Sequence, residues 1–204
     1  MKLLHLDSSI LGPQSVSRAL TADIVERQRV LHPGLEVTYR DLAADASLHL
    51  SGGHMAAWQG AAVEDEMLGK DLAKGGAYIG ELFAADIIVI GAPMYNFTVP
   101  TQLKAWIDRV VVAGKTFRYG EGGMPESLLP KGKKVFIASA RGGAYKEGSQ
   151  AAFLEHQESY LKGVLGFIGL TDVTIVRAEG VAMGQDARLA AVAHAKQAVA
   201  NLAA

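Results

Sequence analysis

Residues 86–110, DIIVIGAPMYNFTVPTQLKAWIDRV, run from a continuous apolar stretch through a loop into an amphipathic helix. The apolar stretch, 86–91, shows no alternation, the pattern of a strand buried on both faces, and such strands belong to parallel sheets covered by helices on each side. Thr98-Val99-Pro100 opens the helix, since proline suits a first turn, where its missing N–H costs nothing. Leu103, Trp106, Ile107 and Val110 then share one stripe. Between strand and helix stands Pro-Met-Tyr-Asn-Phe, a large apolar surface for a loop.

The same rhythm extends in both directions. Residues 2–7, KLLHLD, read as a first strand ended by Ser8-Ser9 and Gly12-Pro13. A helix follows from about Ser17, with Leu20, Ile24 and Leu31 on its apolar side, and His32-Pro33-Gly34 ends it. Residues 35–40 form a second strand, and 53–84 read as helix, interrupted near Gly75-Gly76. Residues 115–129 break the pattern as a hairpin-like excursion around Gly120 to Gly123. Strands at 134–140 and 172–178 follow, with a helix at roughly 149–169 between them and a last helix carrying Leu189, Val192, Ala195, Val199 and Leu202. Strands joined by helical crossovers run parallel. The expectation is an α/β, flavodoxin-like, doubly wound five-stranded parallel sheet in the order 2-1-3-4-5, with helices on both faces.

The 204 residues suit one domain over 1–204, and half are hydrophobic, enough for a substantial core. A formal net charge of −1 speaks against a general nucleic-acid or membrane-surface binder. The absence of cysteine excludes disulfides, thiolate catalysis and cysteine-ligated metals. The N-terminal stretch reaches Asp7 too soon for a signal-peptide apolar region, and no apolar run approaches a membrane span. A soluble, cytoplasmic protein is expected.

In a sheet of this order, ligands bind beyond the carboxyl ends of the strands where the order reverses, between the first and third strands. After the first strand, Ser8, Ser9, Ser15 and Ser17 precede a helix, whose free N–H groups and positive dipole end suit a phosphate; Arg18 could add charge. Capping alone would use one serine. After the third strand, Met94, Tyr95 and Phe97 offer a flat apolar wall, and Asn96 a few directional hydrogen bonds. After the fourth, Arg141-Gly142-Gly143 lets backbone approach a ligand edge, which Arg141 or Tyr145 could bind or cover. An anion site beside a planar-ring site fits flavin mononucleotide (FMN). A tightly held dinucleotide fits less well, because no G-x-G-x-x-G occurs.

Other patterns carry less. Gly114-Lys115-Thr116 has Arg109 where a P-loop needs its first glycine, and no G-x-S-x-G is present. His49 and His54 lack the spacing that would set two metal ligands on one helical face, so no metal is expected. His5 is read as satisfied within the first strand or pointing out of it, and Glu64 to Glu66 as a solvated helix surface.

At these loops the chain resembles the FMN-dependent NADH:quinone oxidoreductases, also called azoreductases. The resemblance covers essentially the whole chain and is carried by PMYNFTVPTQLKAWIDRV (93–110), GKTFRY (114–119), ARGG (140–143), LGFIGLTDV (165–173) and AEG (178–180). It implies a flavodoxin-like homodimer with one FMN per subunit near the dimer interface, reducing quinones and aromatic azo compounds by a ping-pong route. It implies Ser9, Ser15, Val16 and Ser17 at the FMN phosphate. Met94, Tyr95, Asn96 and Phe97 would line the ring, with Ser139, Ala140, Arg141, Gly142 and Gly143 at its other edge. Tyr119, Tyr145 and Phe167 would shape the substrate pocket, some of them across the dimer. Ala140 stands where some relatives have a hydroxyl residue, so one flavin hydrogen bond is lost or moved to Ser139. The resemblance leaves NADH against NADPH open and implies no certain catalytic residue, since the flavin carries the hydride. The alternative is a flavodoxin-type electron carrier without turnover, against which the net charge of −1 and the excursion both speak. A phosphate-sensing domain of the same topology predicts an acidic cluster at the strand ends, where the sequence offers Asp7 alone.

Overall fold

The structure is a computed structural model, describing residues 1–203. Strands β1 (Lys2–Asp7), β2 (Glu36–Asp41), β3 (Ile87–Pro93), β6 (Lys134–Arg141) and β7 (Asp172–Glu179) form one sheet in the order β2-β1-β3-β6-β7. Every pairing in it is parallel. The expected order reappears once the excursion is discounted, because its two short strands, β4 (Phe117–Tyr119) and β5 (Pro125–Ser127), take two numbers. These pair antiparallel as a separate hairpin. All seven residues of β3 are buried, as its unbroken apolar run requires of a central strand.

Helices α1 (Val16–Leu31), α2 (Gly52–Trp58), α3 (Glu66–Ala84), α4 (Thr101–Val110), α5 (Glu158–Phe167) and α6 (Gln185–Ala200) link the strands. Strand alternation splits the core in two. Leu4, Leu6, Ile88, Ile90 and Ile137 pack with α3, α4 and α5, while Leu3, Ile87, Val89, Phe136 and Ala138 pack with α1 and α6. In α4 the whole expected stripe is buried.

Three helical expectations change. The break in 53–84 falls between α2 and α3, where Gly60 has φ +93°, and Gly75-Gly76 lie inside α3. A Cβ on Gly75 would come within 3.2 Å of Arg109 Cδ, so glycine there serves helix packing. The helix expected at 149–169 is only Glu158–Phe167, preceded by a 3-10 turn at Ala152–Leu154. Glu155 sets its late start, its carboxylate accepting from the N–H groups of Gln157, Glu158 and Ser159 at 3.0, 2.7 and 3.1 Å. In α6, Ala195 and Val199 are buried as expected, but Leu189 is exposed.

Candidate active site

The tips of β1, β3 and β6 meet around one cavity of about 150 Å³, lined among others by Ser9, Ser15, Ser17, Met94, Tyr95, Ala140 and Gly142. The hydroxyls come from the segment between β1 and α1. Ser15 is the N-cap of α1, its Oγ accepting from the Arg18 N–H at 3.3 Å and lying 3.1 Å from Ser17 Oγ. Capping therefore uses Ser15 alone. Ser17 is equally buried, and the N–H groups of Val16 and Ser17 have no acceptor among the described residues. Ser8 is spent elsewhere, donating to the Gly91 carbonyl at 2.6 Å. Gly91 must be glycine, since a Cβ would sit 2.7 Å from Asp7 Oδ1.

The loop after β3 joins this cradle directly. Tyr95 OH lies 3.1 Å from Ser9 Oγ and accepts from the Ile10 N–H at 3.3 Å. Tyr95 and Thr98 exchange both backbone hydrogen bonds, at 3.0 and 3.1 Å. Between them Asn96 and Phe97 have φ +47° and +72°, the left-handed pair of a type I′ turn. Asparagine tolerates that region; phenylalanine rarely enters it, and strain of this kind concentrates at functional sites. The turn leaves the N–H groups of Asn96 and Phe97 without acceptors among the described residues and holds the Phe97 ring outward, edge to face with Tyr145 at 6.0 Å.

The tip of β6 divides by strand parity. Ala140 and Gly142 line the cavity; Ser139 and Arg141 face the α5 side of the sheet. Ser139 Oγ donates to Gln157 Oε1 at 3.2 Å and accepts from Arg141 Nε at 3.2 Å, so its hydroxyl does not stand in for one at position 140. The buried Arg141 guanidinium pairs with Glu158 and does not reach over the cavity. Burial alone would raise the Glu158 pKa, but hydrogen bonds from Arg177 and Arg141, with the Arg141 charge, hold it down to about 2. The carbonyls of Arg141, Gly142 and Gly143 accept from Val181, Ala182 and Gly180, each at 3.0 Å, while the N–H groups of Gly142 and Gly143 have no acceptor among the described residues.

Arg18 also differs from expectation. Its guanidinium grips both Asp41 oxygens at 2.7 Å and the Ser9 carbonyl at 2.7 Å, so it fixes the cradle's backbone and adds no free charge to the cavity. That hydrogen bonding lowers the Asp41 pKa and raises the arginine's. Asp41 is a second acidic group at the strand ends, paired in register with Asp7. Asp7 accepts from Thr21 Oγ1 at 2.8 Å and from Tyr39 OH at 3.1 Å, so neither carboxylate is free. Burial, with the Asp7 and Asp41 charges, pushes the Tyr39 hydroxyl up to about 12.

Tyr119 and Phe167 do not line the cavity. Phe117 brings them together, its ring 5.4 Å from Tyr119 and 4.6 Å from Phe167, and Tyr119 is 64% exposed. His54 is buried against Asp71, its Nε2 3.0 Å from Oδ2, and no group of three or more potential metal ligands exists among the described residues. Sequence reading missed Gln157, whose Nε2 donates to the Ala92 carbonyl at 2.7 Å and so ties β3 to β6. It also missed Gln14, Val181 and Arg188 at the cavity rim. Only the fold brings these to the strand tips.

Strand order and cavity position together define a flavodoxin-like protein, and the family model described as "Flavodoxin-like fold" matches residues 1–203. The chain is 54% identical over 202 residues to an FMN-dependent NADH:quinone oxidoreductase 2 of Bradyrhizobium diazoefficiens, covering 99% of this chain and 98% of that one. It is 54% identical over 204 residues, the full length of both, to an FMN-dependent NADH:quinone oxidoreductase of another Bradyrhizobium. Among solved structures, an FMN-dependent NADH-azoreductase from Bacillus anthracis in complex with FMN superposes with a TM-score of 0.85 at 25% identity, over 100% of both chains. The chain belongs to the family of FMN-dependent NADH:quinone oxidoreductases.

Proposed function

We propose that this chain is an FMN-dependent oxidoreductase that uses NADH to reduce quinones and aromatic azo compounds. The observation that carries the reading is one shared cavity: the buried hydroxyls of Ser9, Ser15 and Ser17 open onto the side chains of Met94 and Tyr95. The names of the relatives, which contain FMN, NADH and quinone, supply the same elements.

The residues fit the cofactor. Three hydroxyls and two unpaired N–H groups at a helix N-terminus suit a phosphomonoester dianion. Ligand pockets typically measure about 300 Å³ or more; a cavity of about 150 Å³ suits the phosphate end, leaving a ring to the open surface beside it. Ser9, Ser15, Val16 and Ser17 would hold the phosphate. Met94, Tyr95, Asn96 and Phe97 would bear on the ring, together with Ala140, Gly142 and Gly143; Ser139 and Arg141 would contribute backbone alone.

Bound FMN would supply the redox chemistry, hydride transfer between a nicotinamide and the acceptor. The chain's part is positional and electrostatic. The unpaired N–H groups of Asn96, Phe97, Gly142 and Gly143 would serve as fixed donors to negative charge on a bound ring. Phe97 and Tyr145 give flat reactants an apolar edge to pack on. Asp7, Asp41 and Glu158 are all committed to partners, so protons come from water. Donor and acceptor occupy the same place in turn, a ping-pong order. Tyr119 and Phe167 act across a homodimer, each subunit completing its partner's pocket. The chain forms one FMN-binding domain and works in the cytoplasm; among the described residues no helix is long and apolar enough to cross a membrane.

The test is anaerobic titration of the FMN-loaded protein with NADH and, separately, NADPH, followed by a simple quinone and by steady-state turnover. Stoichiometric reduction and rapid reoxidation with turnover are expected. Reduction without quinone turnover would leave only an electron carrier, and no FMN uptake would end the reading.

A further inference from the structure

We propose that Arg188 is a charge clamp for the cofactor phosphate, an inference that rests on the FMN reading above. Arg18 is committed to Asp41, and among the described residues Arg188 is the only cationic side chain lining the serine cavity. It has no carboxylate partner among the described residues, and its one side-chain hydrogen bond is a long 3.4 Å contact from Nη2 to the Gln14 carbonyl. That contact holds the guanidinium at the rim, beside the turn that leads into α1. The bond is exposed and long, so exchanging it for a phosphate oxygen loses little.

The electrostatics at this point favour an anion. Arg188 sits in the first turn of α6, its own N–H donating to the Gly184 carbonyl at 3.0 Å. A cation there opposes the helix dipole, which favours negative charge at its N-terminus. The same cavity also receives the N-terminus of α1, with the N–H groups of Val16 and Ser17 unpaired. The N-terminus of α1 and the Arg188 guanidinium therefore share one cavity, while Asp186 in the first turn of α6 answers that helix's own dipole. A phosphate dianion among the three hydroxyls would be attracted by both the α1 N-terminus and Arg188. The hydroxyls and N–H groups supply geometry; Arg188 supplies the formal charge that distinguishes a phosphorylated ligand from its dephosphorylated form.

The experiment compares equilibrium dissociation constants for FMN and for riboflavin, which lacks the phosphate, by flavin fluorescence quenching on wild type, R188A and R188K. A charge-assisted hydrogen bond in a partly exposed site predicts that R188A weakens FMN binding about 10-fold and leaves riboflavin within about twofold. R188K should recover part of the loss, and the salt dependence of FMN binding should shrink in R188A. Equal affinity of wild type and R188A for FMN overturns the clamp alone, as does an equal loss for both flavins, which marks a structural role. A wild-type chain that takes up no FMN overturns both this inference and the reading beneath it.

Discussion

The hydroxyls of Ser9 and Tyr95 lie 3.1 Å apart, joining residues 86 positions distant in sequence. The contact bridges the crevice between the tips of β1 and β3, where the strand order reverses. It makes the serine cluster and the aromatic loop parts of one cavity.

Removing that bridge should weaken cofactor binding without unfolding the chain. Tyr95→Phe keeps the ring and loses the hydroxyl, including its bond from the Ile10 N–H. One or two half-buried hydrogen bonds are worth about 1 kcal/mol net, so FMN affinity should fall about fivefold. Fluorescence titration measures it, and thermal denaturation should show little change.

The type I′ turn predicts an uncommon order of stability among Phe97 variants. Phe97→Ala keeps a side chain at φ +72° and loses the ring contact with Tyr145, whereas Phe97→Gly loses the contact and relieves the strain. Glycine should exceed alanine by about 1 kcal/mol in chemical denaturation. Both should turn over quinone more slowly than wild type. A glycine variant no more stable than the alanine variant would show that the left-handed conformation costs nothing here.

Strand parity at the tip of β6 separates two adjacent small residues. Ser139→Ala removes a hydroxyl bonded to Gln157 on the α5 side and should leave FMN affinity within about twofold. Ala140→Ser places a hydroxyl at the cavity and should change that affinity severalfold. The reverse ranking in FMN titrations would mean that the parity is misassigned.

Glu158 predicts an acid limit to stability. Its pKa falls from an ordinary 4.5 to about 2 in the folded chain, so its carboxylate binds fewer protons there than in the unfolded chain. The resulting stabilisation is complete above about pH 4.5 and disappears as pH falls towards 2. Glu158→Gln should cost about 3 kcal/mol near neutral pH by leaving the buried Arg141 with only its longer 3.6 Å contact to Glu179, and should flatten the acid dependence in that window. Urea denaturation at several pH values measures both.

Much of this was legible in the residue pattern, for identifiable reasons. The central strands are buried on both faces, so Ile87 to Ile90 and Val135 to Ile137 read as apolar runs that no helix of that length would need. The serine and Tyr-Asn-Phe loops were legible because the crossover rule fixes which loops share an end of the sheet. Tertiary effects were not legible. Gly75 resembles a helix breaker but accommodates Arg109 from another helix, and Glu155 caps α5 although capping scans favour shorter side chains. Arg18 stands beside the serine cluster in sequence, yet Asp41, on a neighbouring strand, claims it. Arg188 lies far from the cradle in sequence and reaches its rim only through the packing of α6.

The most direct measurement is an absorbance titration of the chain with FMN, run beside the triple variant Ser9→Ala, Ser15→Ala, Ser17→Ala. Saturable uptake of one FMN per chain is predicted, with affinity at least about 100-fold weaker in the variant if each hydroxyl contributes about 1 kcal/mol. A wild-type chain that stays colourless with excess FMN, or a triple variant that binds it equally well, would contradict a flavin phosphate in the cavity between β1 and β3.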